Sequence, residues 1–226
     1  MGPVILLMLA AAPEASPYAE LLAAHVKDGV VDYPGLSKRS AELTQMVAAV
    51  ASATLPKARE DQIGFLIDAY NLLVLSEVVR LGQPKSVLDV KDFFSAPRHK
   101  VAGETVSLDQ LEKQRILPLA KDPRLHFALV CGARGCPILE REPWTRGRLE
   151  DRLRQATRRY LASPHGLRTA PNALSLSKIF EWYGQDFGGE AGVRALIQGD
   201  GPKAAQAAAK DAKITYLEYD WRLNGP

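Results

Sequence analysis

The stretch Ile63-Gly64-Phe65-Leu66-Ile67-Asp68-Ala69-Tyr70-Asn71-Leu72-Leu73-Val74-Leu75-Ser76-Glu77-Val78 decides how this chain folds. Ile63, Leu66, Ile67, Tyr70, Leu73, Val74 and Val78 recur at helical spacing, which predicts a core helix over residues 59–82. Gly82 and Pro84 end it. Asp68 and Asn71 lie three apart, so they share one face beside the apolar stripe. Polar groups so placed either hydrogen-bond neighbouring backbone or border a cleft, and the pattern leaves both open.

Working outward, residues 17–29 read as a first helix with Leu21, Leu22 and Val26 on one face, stopped by Gly29. Val30-Val31-Asp32-Tyr33-Pro34 follows as a short extended piece, and Ser40 caps a helix through Ala53. Residues 98–107 read as a β-hairpin turning at Ala102-Gly103. Ser107-Leu108-Asp109-Gln110 is a capping box that opens a helix, which Pro118 and Pro123 bracket at its end. Leu125 to Val130 is apolar except for His126 and reads as a buried strand. Residues 145–162 form a basic amphipathic helix with Leu149, Leu153 and Tyr160 inward. Leu174 to Ser177 is a short strand, and Ser177 caps a helix from Lys178 to Phe187 that Gly188-Gly189 ends. A helix through 203–212 and a strand from Ile214 to Leu223 complete the chain. The sum is a single, mostly helical α+β domain with a small sheet of about four or five short strands.

Composition sets outer bounds. The 226 residues, 46% apolar and 24% charged, suffice for one well-buried domain. A net charge of +3 gives no reason to invoke nucleic acid. Arg146, Arg148, Arg152, Arg154, Arg158 and Arg159 crowd one helix, but it lacks the interleaved aromatics that grip single strands, so it reads as a solvated face. No run of eighteen apolar residues predicts a membrane span in the mature chain. Val4 to Ala12 has the length of a secretory h-region, with small residues following at Ala10-Ala11-Ala12 and Glu14-Ala15-Ser16. Residues 1–16 therefore read as a signal peptide and 17–226 as the mature domain, exported to the periplasm or beyond.

Both cysteines fall in His126-Phe127-Ala128-Leu129-Val130-Cys131-Gly132-Ala133-Arg134-Gly135-Cys136-Pro137. In an oxidising compartment two thiols usually pair, and a Gly-rich turn of four residues folds back far enough to join them. Alternatively, Gly132 and Gly135 let backbone N–H groups converge, and Arg134 adds positive charge, which together would stabilise a Cys131 thiolate. His126 is an odd number of residues from Cys131, so on a regular strand it faces the other way and serves as a base only if the chain bends. Zinc needs four ligands, which this spacing does not supply, and nothing implies another cofactor. Lys178 and Asp186 lie two turns apart along one helix and would border a cleft with Asp68 and Asn71. Phe180, Trp182 and Tyr183 read as inward core aromatics, and Asp220 among Tyr219 and Trp221 needs a partner if buried.

The ordered set Val31-Asp32-Tyr33, Ile67-Asp68-Ala69-Tyr70-Asn71, His126 to Gly132 with Cys136-Pro137, Ser177 to Tyr183 with Asp186-Phe187, and Tyr219-Asp220-Trp221 with Leu223-Asn224 resembles the family catalogued as domain of unknown function 547. The resemblance implies one domain in an exported bacterial protein and supplies no reaction. Gly135 departs from the serine expected before the second cysteine, which removes a hydroxyl from beside the thiol. Three functional classes follow. The first is a thiol-centred site at Cys131 and Cys136, with His126 and Arg134, performing acyl transfer or hydrolysis by a cysteine nucleophile. The second is a non-enzymatic exported domain with a structural disulfide and a polar cleft for a small molecule, peptide or protein. The third is a thiol-based binder of a soft metal or metalloid.

Overall fold

The computed structural model describes residues 16–96, 98–145 and 147–226. The expected signal peptide falls almost wholly outside them. At the centre lies helix α4 (Arg59–Arg80), preceded in the chain by α1 (Pro17–His25), α2 (Tyr33–Lys38) and α3 (Ser40–Ser52). Every residue of α4 from Ile63 to Leu75 is buried, because α2, α3 and later segments wrap it on all sides. The helix is long and apolar enough to cross a membrane by length and composition, but its most apolar window is 83% buried inside the protein. Gly64 permits one close approach: a Cβ there would sit 2.9 Å from the Trp144 carbonyl oxygen. Gly82, in the left-handed region, follows the helix end as expected.

Among the described residues there are also three small sheets. Strands β1 (Val26–Lys27) and β2 (Val30–Val31) form a minimal hairpin. Strands β3 (His99–Val101) and β4 (Glu104–Val106) form the expected second hairpin, with both turn residues, Ala102 and Gly103, at positive φ. The amides of that turn donate to the carbonyls of Val50 and Ala51 at the end of α3. The third sheet pairs β5 (Leu167–Ala170) antiparallel with β6 (Ala173–Leu176), and β6 parallel with β7 (Lys213–Tyr216). Between the sheets run α5 (Leu108–Gln110), a π-helical turn (Leu111–Ile116) and α6 (Leu117–Ala120) in one continuous column. The Ser107 capping box is formed, with both reciprocal hydrogen bonds present. Helices α7 (Leu149–Ala162), α8 (Lys178–Trp182), α9 (Gly189–Asp200) and α10 (Lys203–Ala208) complete an α+β domain dominated by helix.

Several sequence expectations need correction. The first helix stops at His25 because Val26 pairs with Val31 instead of continuing it. Tyr33-Pro34 opens α2 under an Asp32 cap and is not extended. Ser40 is the first residue of α3, not its cap. Pro118 does not end its column, since it follows the wider π turn, where the α-helical hydrogen-bond ladder is already interrupted. The final strand stops at Tyr216, and α8 stops at Trp182.

The largest correction concerns residues 125–131. Pro123–Phe127 is a 3-10 turn capped by Asp122, and the residues after it join no sheet. A buried extended segment needs partners for its backbone, and here a side chain supplies them. Asn71 in α4 donates from Nδ2 to the Ala128 carbonyl (3.0 Å) and accepts from the Val130 amide (2.9 Å). One amide side chain thus replaces a neighbouring strand.

Three arginines of α7 meet acidic partners, whereas Arg152 donates to the carbonyls of Glu142 and Pro143 and lies over the Trp144 ring. Arg154 meets Glu150, Arg158 meets Asp200, and Arg159 meets Glu140. Arg124 of the 3-10 turn bridges Asp122 and Glu150, both at 2.6 Å, and ties that turn to α7. Arg146 lies outside the described residues.

Candidate functional site

The 3-10 turn and the Asn71 clamp have a joint consequence. They bend the chain so that His126 and Cys131, which a regular strand would separate, line the same cavity. The cavity has a volume of about 200 Å³. Cys131 and Cys136 form a disulfide at its floor, with Cα atoms 6.3 Å apart. Cys136 is buried and Cys131 half-buried. The Tyr219 hydroxyl caps both sulfurs, 3.2 Å from Cys136 Sγ and 3.5 Å from Cys131 Sγ.

Aromatic rings form most of the walls. Trp182 comes from the end of α8, and Tyr219 and Trp221 come from the segment after β7. Their ring centroids lie 4.7–5.7 Å apart, so the three form one cluster. Phe94, Tyr70 and Tyr183 line other sides. Trp182 is 47% exposed and forms the rim, not the core position its spacing suggests.

One wall is polar. His126 Nε2 lies 2.9 Å from Asp186 Oδ2, and Nδ1 lies 3.7 Å from Glu112 Oε1. The imidazole stacks on Tyr183 at a centroid distance of 3.9 Å. Burial holds His126 below its ordinary pKa, outweighing the opposite pull of Asp186, so the ring is neutral at neutral pH. Burial also lifts the Glu112 carboxyl to about 6, against the hydrogen bond that it accepts from Tyr183. Asp109, one turn earlier, also lines the cavity but is paired with Lys113 at 2.7 Å.

Several amides of the loop 131–136 are engaged within the protein, that of Cys131 by Cys136 Sγ. Arg134 N donates to Arg222 O, Gly135 N to Asp220 O, and Cys136 N to Ala133 O. Gly132 O accepts from Asn224 N. The Arg134 guanidinium reaches the carbonyls of Leu223 and Gly225. The Gly135 amide and the expected thiolate-stabilising cation, Arg134, are therefore spent on holding residues 220–225 in place. Asp220, which the sequence left seeking a partner, pairs with Arg222 at 2.5 Å.

The residues expected to border a cleft do not meet there. Asp68 accepts from the amides of Trp144 and Thr145 and from the Thr145 hydroxyl, away from the cavity. Burial lifts its carboxyl to about 7 against those three hydrogen bonds. Asn71 lies behind the floor as its clamp. Lys178 pairs with Glu181 at 2.6 Å and sits over the Tyr216 ring. Asp186 alone contributes, through His126. Glu112 is the site residue that sequence reading missed. It sits in an ordinary amphipathic pattern, and nothing local distinguishes it from a surface glutamate. Among the described residues, no three His, Cys, Asp or Glu side chains gather as a metal-ligand cluster.

Fold and site together define a mostly helical α+β domain with a disulfide-floored, aromatic-walled pocket. Residues 55–161 match the family described as "Protein of unknown function, DUF547", the family that the sequence motifs resemble. The match contains the core helix, the Asn71 clamp, Glu112, His126 and both cysteines, whereas Trp182, Tyr219 and Trp221 lie beyond it. No curated protein and no solved structure matches the chain.

Proposed function

We propose that this chain is an exported ligand-binding domain whose site is the pocket over the Cys131–Cys136 disulfide. The observation that carries the reading is the pocket itself, with aromatic walls, a few convergent polar groups and a floor fixed by a covalent staple. His126 Nε2 is hydrogen-bonded to Asp186 and Nδ1 faces Glu112 at 3.7 Å, so the ring is oriented by carboxylates and not by a cysteine. The Arg134 charge is turned to backbone carbonyls. Both facts favour binding over nucleophilic catalysis. A disulfide suits an oxidising compartment, in keeping with the apolar stretch at residues 4–12.

The test is a screen of small aromatic and aliphatic fragments by ligand-observed NMR, repeated on Trp182→Ala and Trp221→Ala. Binding should weaken in both variants while their unfolding midpoints stay near wild type. If no fragment depends on either tryptophan, the pocket is not the site.

A second reading is kept because one observation favours it. Cys131 is half-buried at the cavity, and the Tyr219 hydroxyl is in place to donate to either sulfur. Reduction would place a thiol inside the pocket with a hydrogen-bond donor beside it, as a cysteine nucleophile or a soft-metal site requires. Iodoacetamide alkylation of the reduced protein near pH 6 tests this. A Cys131 that reacts no faster than free cysteine removes it.

A further inference from the structure

The pocket's chemistry narrows the kind of ligand it would hold, and this inference rests on the binding reading above. The geometry points to a small organic cation, an ammonium group carried on apolar carbon, seated among Trp182, Tyr219, Trp221 and Tyr183 with Glu112 as its counter-charge.

Three observations converge. First, among the described residues that line the cavity there is no Lys or Arg, so an anionic ligand would find no cation there. Lys113 stands on the same helical column, but Asp109 holds it at 2.7 Å. Second, the walls are π-rich. Aromatic faces carry negative potential and attract cations, and the attraction strengthens when the site is desolvated. Third, Glu112 is buried and pairs with no Lys or Arg among the described residues. Its neighbours are a tyrosine hydroxyl and an imidazole that burial keeps neutral. A buried carboxylate without a counter-charge is costly, and a cationic ligand would supply the missing partner. A purely apolar ligand would seal the carboxylate away from water and leave that cost standing.

The experiment is a tryptophan-fluorescence titration of the oxidised protein at pH 7.5 and fixed ionic strength. Its probes are benzyltrimethylammonium, benzyl alcohol and benzoate, which share a ring and differ in charge. The expected result is that benzyltrimethylammonium binds at least about tenfold more tightly than benzyl alcohol, with benzoate weakest. Glu112→Gln should erase the preference for the cation while keeping benzyl alcohol affinity within about twofold of wild type. Trp182→Ala, a change at an exposed rim position, should weaken the cation without affecting the fold.

The outcomes separate the two levels of the argument. If benzyl alcohol or benzoate binds as well as the cation, the pocket stands and the cation inference falls. If the preference survives Glu112→Gln in a variant whose circular dichroism matches wild type, Glu112 is not the counter-charge and the inference is overturned. If none of the three probes binds, the pocket reading falls and the inference falls with it.

Discussion

Replacing Glu112 by Gln should stabilise the ligand-free protein at pH 7.5 and change little at pH 4. The carboxyl is displaced upward, from 4.5 to about 6, chiefly by burial. A raised acid pKa means that the folded state keeps its proton to higher pH than the unfolded chain does. The stability tied to that proton is fully present below the unfolded pKa and is lost as pH climbs through the folded one. At 1.36 kcal/mol per pH unit, the displacement amounts to about 2 kcal/mol lost from wild type by pH 7.5. Gln resembles the protonated acid and can still accept from the Tyr183 hydroxyl, so the variant escapes the loss. Other groups face the carboxylate from every side. Lys113 pulls its pKa down, Asp109 and Asp186 push it up, and His126, Tyr70 and Tyr219 stand close. All of these persist in the variant, so the difference between the two proteins isolates Glu112. Urea unfolding at several pH values from 4 to 8 measures it. The gap should open from near zero to about 2 kcal/mol, with most of the change between pH 4.5 and 6. A variant that is less stable at pH 7.5, or a gap that ignores pH, would refute the account of Glu112 as a buried, uncompensated charge. Stability gained together with cation preference lost would mark a residue kept for binding at the expense of the fold.

Asn71→Ala should cost about 2–5 kcal/mol in chemical unfolding, because it strands the Ala128 carbonyl and the Val130 amide in a buried segment. A loss below about 1 kcal/mol would mean that water or a backbone shift replaces the clamp. Replacing both cysteines by Ser should lower stability by about 2 kcal/mol, the value expected for so short a loop. Benzyl alcohol affinity, measured on the fraction that remains folded, should survive; its abolition would show that the disulfide takes part in binding and is not only a staple.

The sequence announced its local devices and hid its long-range ones. The core helix, the Ala102-Gly103 hairpin and the Ser107 capping box each carry their cause within a few residues: periodicity, a turn pair, a reciprocal cap. Residues 125–131 misled because an apolar run bounded by Pro and Gly suits a buried strand as well as any other buried backbone. What decided against the strand was the Asn71 side chain, more than fifty residues earlier. Asp68 and Asn71 were legible as a polar pair on a buried helix, and of the two roles open to them both took backbone anchoring. His126 and the cysteine pair stood out because their chemistry is rare and compact in the sequence, and the fold places all three in the lining of the cavity. Trp182, Tyr219 and Trp221 were visible as aromatics, but only tertiary folding makes them one wall. Glu112 left no local trace, because its environment is created by Tyr183 and His126 from other elements.

The wall supplied by Tyr219 and Trp221 also bears on how the site comes into being. The Tyr219 hydroxyl meets Cys131 across 88 positions of chain, and Arg134 grasps the Gly225 carbonyl across 91. Most of the apolar core is in place by Ala212, whereas the pocket is not. Residues 217–225 gain their contacts only from segments far back in the chain that must already be placed, so the expected order is core first and C-terminal docking after it. A chain shortened by its last ten residues should therefore collapse and keep much of its helix content while binding nothing. Competence would then follow the arrival of the C-terminus rather than compaction, with a lag between the two that stopped-flow fluorescence of Trp182 and Trp221 is placed to time.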